Sequence, residues 1–316
     1  MAFAVSPQFE PPVSGQSVVV GGACLTNCDA RLERLRAEFV VDTLQPLLLA
    51  AWARVPCVLY LPVGEEAIVS DPSISLGAWR HFGQRLEGFV NSVAASVPNG
   101  RPPILIRTDT DTVSAALDTA VEAISGLVRP RDLDDLYTIR PSRSGQKPPG
   151  AARLRQYQRS IVTYIPSVVA ELVGGLDVRH VVVAENLHQA KAISAARTVL
   201  TATGSQDRVD HLAHLPSPSI TGTGRMARSE DRSTLFCLDA AEVRAEKLLR
   251  MPPVVRQFWE NSWPRSLRLA GTAVDGDRLN AVFEEWHRLL AQAAGMPPAP
   301  GAVIPPDHAT FEGATR

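Results

Sequence analysis

Short apolar runs rich in β-branched residues alternate along this chain with longer segments whose apolar residues recur at helical spacing, and that alternation restricts its fold more than any other feature. The runs 17–20, ending at Gly21-Gly22, 57–61, 104–107, opening at Thr108-Asp109, and 180–183 read as strands. Between them the period lengthens. A long helix carries Leu32, Leu35, Phe39, Val40, Leu44, Leu47 and Leu48 on one stripe, and helices are predicted over 76–97, 113–127, 153–173 with a break or kink near Pro166, and 187–200. Strands joined by crossovers of that length pair in parallel.

The predicted class is therefore α/β, a Rossmann-like parallel sheet flanked by helices, with a small C-terminal helical appendage. Residues 1–15 and 297–316 carry clustered prolines without periodicity and read as tails, leaving a sheet domain over 16–245 and the appendage over 246–296. The appendage would hold helices near 240–250 and 278–294, separated by an aromatic segment with Phe258, Trp259 and Trp263. Segment 140–150 is a loop by composition.

Charge removes some functional classes. The 316 residues carry 32 Lys plus Arg against 33 Asp plus Glu, a formal charge of -1, so an acidic partner must be held by a local patch rather than by the whole surface. One such patch exists: Arg129, Arg131, Arg140, Arg143, Lys147, Arg153, Arg155 and Arg159, with Tyr157 among them and Asp132, Asp134 and Asp135 diluting it. It reads either as a phosphate-backbone contact or as a solvated helix face. The four cysteines, Cys24, Cys28, Cys57 and Cys237, offer neither a disulfide framework nor zinc-ligand spacing, so no metal is expected. The N-terminal Met-Ala-Phe-Ala-Val-Ser-Pro lacks a basic region followed by an apolar stretch, and no apolar run reaches the ~18 residues of a membrane span. A cytoplasmic protein without a membrane partner is expected.

The most informative segment is Gly222-Thr223-Gly224-Arg225-Met226-Ala227-Arg228-Ser229-Glu230-Asp231, followed by Ser233-Thr234-Leu235-Phe236-Cys237-Leu238-Asp239. A Gly-rich loop carrying two cations suits the neutralisation of a triphosphate or of nucleic-acid phosphate. The segment resembles the second signature loop, Lys-Met-Ser-Lys-Ser, of class I aminoacyl-tRNA synthetases of the tryptophanyl/tyrosyl subgroup. Arg225 and Arg228 stand in the lysine positions, Met226 and Ser229 are retained, and the following acid, Ser, apolar pair and Asp continue the match. Three further segments are similar in order and type. Tyr164 to Glu171 resembles the helix that lines the amino-acid pocket; Val181 to Gln189, with Glu185, Asn186 and His188, resembles the strand and Gly-x-Asp-Gln turn; and Arg107-Thr108-Asp109 sits at the place of Gln-Ser-Asp.

One departure from that family bears directly on chemistry. Its first signature, His-x-Gly-His at the start of the helix after strand one, stabilises the adenylation transition state, and neither Asp29-Ala30-Arg31-Leu32 nor Val40-Val41-Asp42-Thr43 supplies a histidine or a glycine. Strand one ends instead in Gly22-Ala23-Cys24-Leu25-Thr26-Asn27-Cys28, which resembles the Gly-x-Ser-x-x-Asn-Ser nucleophile turn of cyclodipeptide synthases with cysteine replacing serine. Those relatives take the aminoacyl group from charged tRNA onto a side chain. A thiolate at a strand's carboxyl end, beside a helix N-terminus, would be stabilised there. The alternative is a small apolar side chain packed in a turn.

Three functions stand on these residues. The resemblance implies a tRNA-dependent aminoacyl-transfer enzyme forming a cyclodipeptide or other amide, with Cys24 as acceptor, Tyr164 and Glu171 positioning the amine and moving protons, and Gly22, Asn27, Asp109, Glu185, Asn186 and His188 around the substrate. Arg225, Arg228, Ser229, Arg140, Arg143, Lys147, Arg153, Arg155 and Arg159 would then contact tRNA phosphate, and no cofactor is needed. The second is an amino-acid-adenylating ligase using ATP and magnesium, with Arg225 and Arg228 on the phosphates. The third is a non-catalytic synthetase paralogue that binds an amino acid or tRNA. Transfer is preferred because it accounts for the missing histidines, the cysteine turn and the arginine patch together. A homodimer is implied by the resemblance alone.

Overall fold

Every residue of Cys57–Leu61 is buried, as a strand covered on both faces requires. Its side chains divide by the pleat: Cys57, Leu59 and Leu61 enter one core, Val58 and Tyr60 the other. The computed structural model describes residues 16–22, 35–52, 54–64, 75–95, 101–128, 150–174, 176–213, 217–222, 234–236 and 239–259. Within them lie strands β1 (Gln16–Gly22), β2 (Cys57–Leu61), β3 (Ile104–Arg107), β4 (Val178–Val183) and β5 (Arg208–His211). They form one sheet in the order β3-β2-β1-β4-β5, and every neighbouring pair is parallel. The order reverses between β1 and β4, and the carboxyl ends of those two strands are where open sheets of this kind place their ligands.

Helices cover both faces. On one lie α1 (Gln45–Trp52) and α2 (Leu76–Ala95), whose Trp79, Phe82 and Phe89 are fully buried with Leu47 and Leu59. Burying each such side chain contributes roughly 1.5–3 kcal/mol. On the other lie α3 (Asp111–Ile124), α4 (Gly150–Val162), α5 (Pro166–Val173) and α6 (Ala190–Ala202), packed over Val18, Val20, Val181 and Val183. The expected α/β class and its parallel sheet are what the structure contains.

Three local differences have physical causes. The helix expected to carry Leu32 to Leu48 is not regular: Phe39–Leu44 is a π-helical turn leading into α1, with the Gln45 amide bonded to the Val40 carbonyl. Pro46 has no N–H for the carbonyl of Asp42, and its ring presses on that carbonyl, so the turn widens. Pro166 does not kink one helix; it begins a second, α5, with Ile165 extended before it as a residue preceding proline must be. Strand β5 is absent from the expectation because Arg208-Val209-Asp210-His211 holds one apolar residue, enough for an edge strand that buries only Val209.

The chain after the Gly-rich segment packs back on the first core. Helix α7 (Ala241–Leu249) runs through the expected boundary at 245/246, and Met251, Val255 and Trp259 share a core with Leu35, Ile220 and Leu235. The expected tails 1–15 and 297–316, the helix 278–294, loop residues 140–149 and Trp263 lie outside the described residues.

Candidate functional site

At the switch point the last residue of β1 meets the turn after β4. The Gly22 amide donates to Glu185 Oε1 at 2.5 Å. A Cβ at position 22 would stand 2.8 Å from that oxygen, so glycine is what admits the carboxyl. His211, closing β5, donates from Nε2 to the Glu185 carbonyl at 3.0 Å and holds the turn from the other side. Burial pushes the Glu185 carboxyl up to about 8, against the Gly22 bond and with help from the nearby charge of Asp42. Burial also lowers the His211 imidazole from its ordinary value, as does the Arg197 guanidinium, while its bond to Glu185 opposes both.

Asp42 is the second buried acid. The π-helical turn directs it inward, where the Ser217 amide donates to Oδ2 at 3.0 Å and the Ser217 hydroxyl to Oδ1 at 2.5 Å. Desolvation raises its carboxyl to about 7; the two Ser217 bonds and Arg36 lower it, and Glu38 raises it. Arg36 and Glu38 form a buried ion pair one turn earlier. The Ala37 amide donates to the Leu235 carbonyl at 2.9 Å, and Arg36 pairs with Phe236 in an antiparallel bridge. Asp239 then accepts from the Phe236 amide at 2.9 Å and from Lys247 Nζ at 2.8 Å, with that ammonium 5.0 Å from the Phe236 ring centroid. The described residues on either side of the basic loop, 217–222 and 234–236, are thus both fastened to the segment 36–42.

The other expected residues are spread over the fold. Tyr164 is buried in the second core, between α4 and α5, whereas Glu171 is exposed on α5. Asp109, at the carboxyl end of β3, is held by Arg107, whose Nη2 lies 2.7 Å from Oδ2. Asn186 is half-buried where the 3-10 turn Leu187–Gln189 begins, and His188 lies in that turn. Arg155 remains half-exposed beside Asp118, and Arg153 lies in α4. Arg159 needs correcting as a surface cation: its guanidinium is turned into the α3–α4 packing, bonded to Asp118 Oδ1 and Ser114 Oγ, and is 2% exposed. Cys24, Asn27, Arg225, Arg228, Ser229, Arg140, Arg143 and Lys147 lie outside the described residues. Of the expected set, the structure brings Gly22 and Glu185 together. Asp42, Glu38 and Ser217 were not among the residues singled out; an acid inside an apolar stripe just ahead of a proline was the available signal.

No protein-family model matches this sequence, and no curated protein matches it. Solved structures do. Tryptophanyl-tRNA synthetase from Aeropyrum pernix superposes with a TM-score of 0.59 at 14% identity, covering 90% of this chain and 82% of that one. The enzyme from Encephalitozoon cuniculi bound to tryptophan gives 0.58 at 10% identity over 89% and 79%. Tyrosyl-tRNA synthetase from Archaeoglobus fulgidus complexed with L-tyrosine gives 0.59 at 11% identity over 89% and 86%. The chain shares the fold of these synthetases. At such identities the likeness is one of fold, and it extends over most of both chains. Among the described residues no helix is long and apolar enough to cross a membrane.

Proposed function

We propose that this chain transfers an aminoacyl group from aminoacyl-tRNA to an amine, forming a cyclodipeptide or another amide, at the carboxyl ends of β1 and β4. The observation that carries the reading is the start of the first helix after β1 among the described residues. In a synthetase fold that start serves the triphosphate through its histidine signature and close backbone approach. Here Ala37 gives its amide to Leu235, the first turn holds a buried Arg36–Glu38 pair, and the bulky Phe39 is buried beside them. A buried acid and a bonded amide are a poor setting for an anion. An acyl donor activated elsewhere avoids the need, and charged tRNA is such a donor.

The chemistry then runs in two balanced steps. Cys24 thiolate attacks the ester carbonyl; the carbon–sulfur bond forms, the ester carbon–oxygen bond breaks, and the tRNA hydroxyl leaves with a proton. The amine of a second aminoacyl-tRNA attacks the thioester, the amide forms, and the thiol is regained. Closing a cyclodipeptide takes one further step, in which the free amine of the first residue attacks the ester that still joins the dipeptide to the second tRNA, the second amide forms, and that tRNA hydroxyl leaves with a proton. Glu185, bonded to the amide of Gly22 two positions before Cys24 and with a carboxyl near neutrality, is suited to exchange these protons at physiological pH. Arg225 and Arg228 would hold tRNA phosphate, in the cytoplasm where charged tRNA is found.

The test is mass spectrometry of the products formed from a pool of charged tRNA after charging has been stopped, with and without ATP. An ATP-independent amide, together with a labelled aminoacyl group trapped on Cys24 and absent in Cys24→Ala, is the expected result. AMP release or a product only with ATP and free amino acid overturns it in favour of the adenylating ligase, to which the basic loop is also suited. Retained tRNA binding with neither signal leaves a non-catalytic paralogue.

A further inference from the structure

The buried carboxyl of Asp42 has no place in the transfer steps, yet burying it costs enough to move its titration far from that of an ordinary aspartate. Its two partners belong to one residue, Ser217, 175 positions away in sequence, and through Ser217 to the segment Ser217–Gly222 that leads into the basic loop. That segment is stiff for its length. Ser219 and Thr221 hydroxyls meet at 3.1 Å, the Gly222 amide donates to the Ser219 carbonyl at 2.9 Å, and Gly222 takes a φ of 74° against Val255. On the loop's far side the Leu235 carbonyl is bonded to Ala37. Both flanks therefore take their position from residues 36–42.

We infer that Asp42 is a positioning residue that sets the base of the basic loop through Ser217 and makes the loop's hold on phosphate depend on one proton. Ionised, the carboxylate accepts both Ser217 bonds as charge-assisted hydrogen bonds. Protonated, it keeps weaker neutral bonds, and one of its oxygens must donate. The groups that face it are Arg36 and Glu38 from the preceding turn and Glu185 from the end of β4. Desolvation by burial is what lifts the change toward neutrality; the Ser217 bonds and Arg36 favour the ionised form, Glu38 opposes it, and Glu185, which titrates at about 8, is still protonated where Asp42 ionises. The clause about phosphate rests on the proposed tRNA reading; the anchoring of Ser217 does not.

Hydrogen exchange of the full chain, followed at residues 217–222 and expressed as protection over the intrinsic rate, separates the two. The expectation is that protection of the Ser217 amide falls by about tenfold between about pH 8 and pH 6, the difference between a charged and a neutral bond. Asp42→Asn, which keeps the shape and cannot ionise, holds the low value at both ends of the range. Ser217→Ala removes one of the bonds favouring the ionised form, so its inflection moves to higher pH. Glu185→Gln keeps the inflection near its native pH, because the Glu185 carboxyl is protonated while Asp42 titrates. Flat protection in the native chain, or an unchanged inflection in Asp42→Asn, overturns the assignment. Binding of uncharged tRNA is measured alongside: loss of affinity on acidification in the native chain but not in Asp42→Asn supports the phosphate clause. An inflection in protection with no tRNA binding at any pH keeps Asp42 as the anchor and refutes the tRNA reading.

Discussion

Gly22 and Glu185, 163 residues apart, join the carboxyl ends of β1 and β4 by a 2.5 Å bond from amide to carboxyl oxygen. The bond lies across the point where the strand order reverses, at the end of a ladder whose last pair is Val20 and Val183, so it ties the turn after β4 to the end of β1. Gly22→Ala would force the carboxyl aside and give up that bond. The expected cost is about 1–3 kcal/mol of stability, seen as a lower urea midpoint at unchanged slope. Shortening the acid in the same chain, Gly22→Ala with Glu185→Asp, should recover part of the loss. No recovery would place the strain elsewhere.

Glu185 also predicts a pH dependence of stability. Its folded value of about 8 lies above the ordinary 4.5, so over that interval the native chain binds a proton that the unfolded chain has released. Stability from this group is complete below about 4.5 and is lost as pH rises through about 8, because ∂ΔG/∂pH is negative wherever the native state holds more protons. Glu185→Gln removes the liability. Unfolding in urea should find the variant close to the native chain at about pH 4.5 and more stable by the order of a few kcal/mol at about pH 9. A constant difference across the range would contradict the argument.

Arg159 makes the opposite kind of prediction. Its guanidinium is enclosed between α3 and α4 with Asp118 and Ser114, so Arg159→Ala leaves those partners with unmet bonds. A loss of about 1–3 kcal/mol in stability is expected, because Ser114 loses its partner while Asp118, part-exposed, keeps its ion pair with Arg155. Affinity for tRNA should not change in the folded fraction, whereas removal of the half-exposed Arg155 should weaken it if the patch contacts phosphate. Equal effects of the two substitutions on affinity would return Arg159 to the surface.

Thiol labelling separates the cysteines. Cys57 is buried in β2 and its thiol is pushed up to about 12 by desolvation, so it is neutral and enclosed at ordinary pH. Iodoacetamide on the native chain should leave Cys57 unmodified and label it only after denaturation. Modification of Cys57 in the native chain would undo its placement inside the sheet and confuse any trapping experiment on Cys24.

These outcomes also mark what could be read in the sequence. The residues of β2 and β3 were legible to the position, because each opens on a short apolar run, Cys57–Leu61 wholly buried and 104–106 leading to Arg107 at the sheet edge. Strand β5 was not, since Val209 is the one apolar residue between Arg208, Asp210 and His211; only the demand that α6 return to a parallel neighbour could have suggested it. In the candidate site, Gly22 and Glu185 were legible through the order of the segments. Asp42 was not, because the π-helical turn shifts the helix stripe and the partner that explains the acid, Ser217, is remote in sequence. Arg159 misled for a related reason: a run of arginines on an amphipathic helix reads the same whether one of them faces water or a buried aspartate.

The basic loop gives a prediction that depends on ionic strength alone. If Arg225 and Arg228 neutralise tRNA phosphates, each releases counterions on binding, and the logarithm of affinity falls linearly with the logarithm of salt at about 0.7–0.9 per contact. The double substitution Arg225→Ala, Arg228→Ala should therefore lower affinity at low salt and flatten the slope by about 1.4–1.8, whichever tRNA is used. A cation that reads a base instead would leave the slope nearly unchanged while altering the choice among tRNAs. A chain whose double variant binds tRNA with native slope but loses ATP binding has its loop on a triphosphate. In that case the buried pair at Arg36–Glu38 must rearrange to admit the nucleotide, since Glu38 as it stands would repel it.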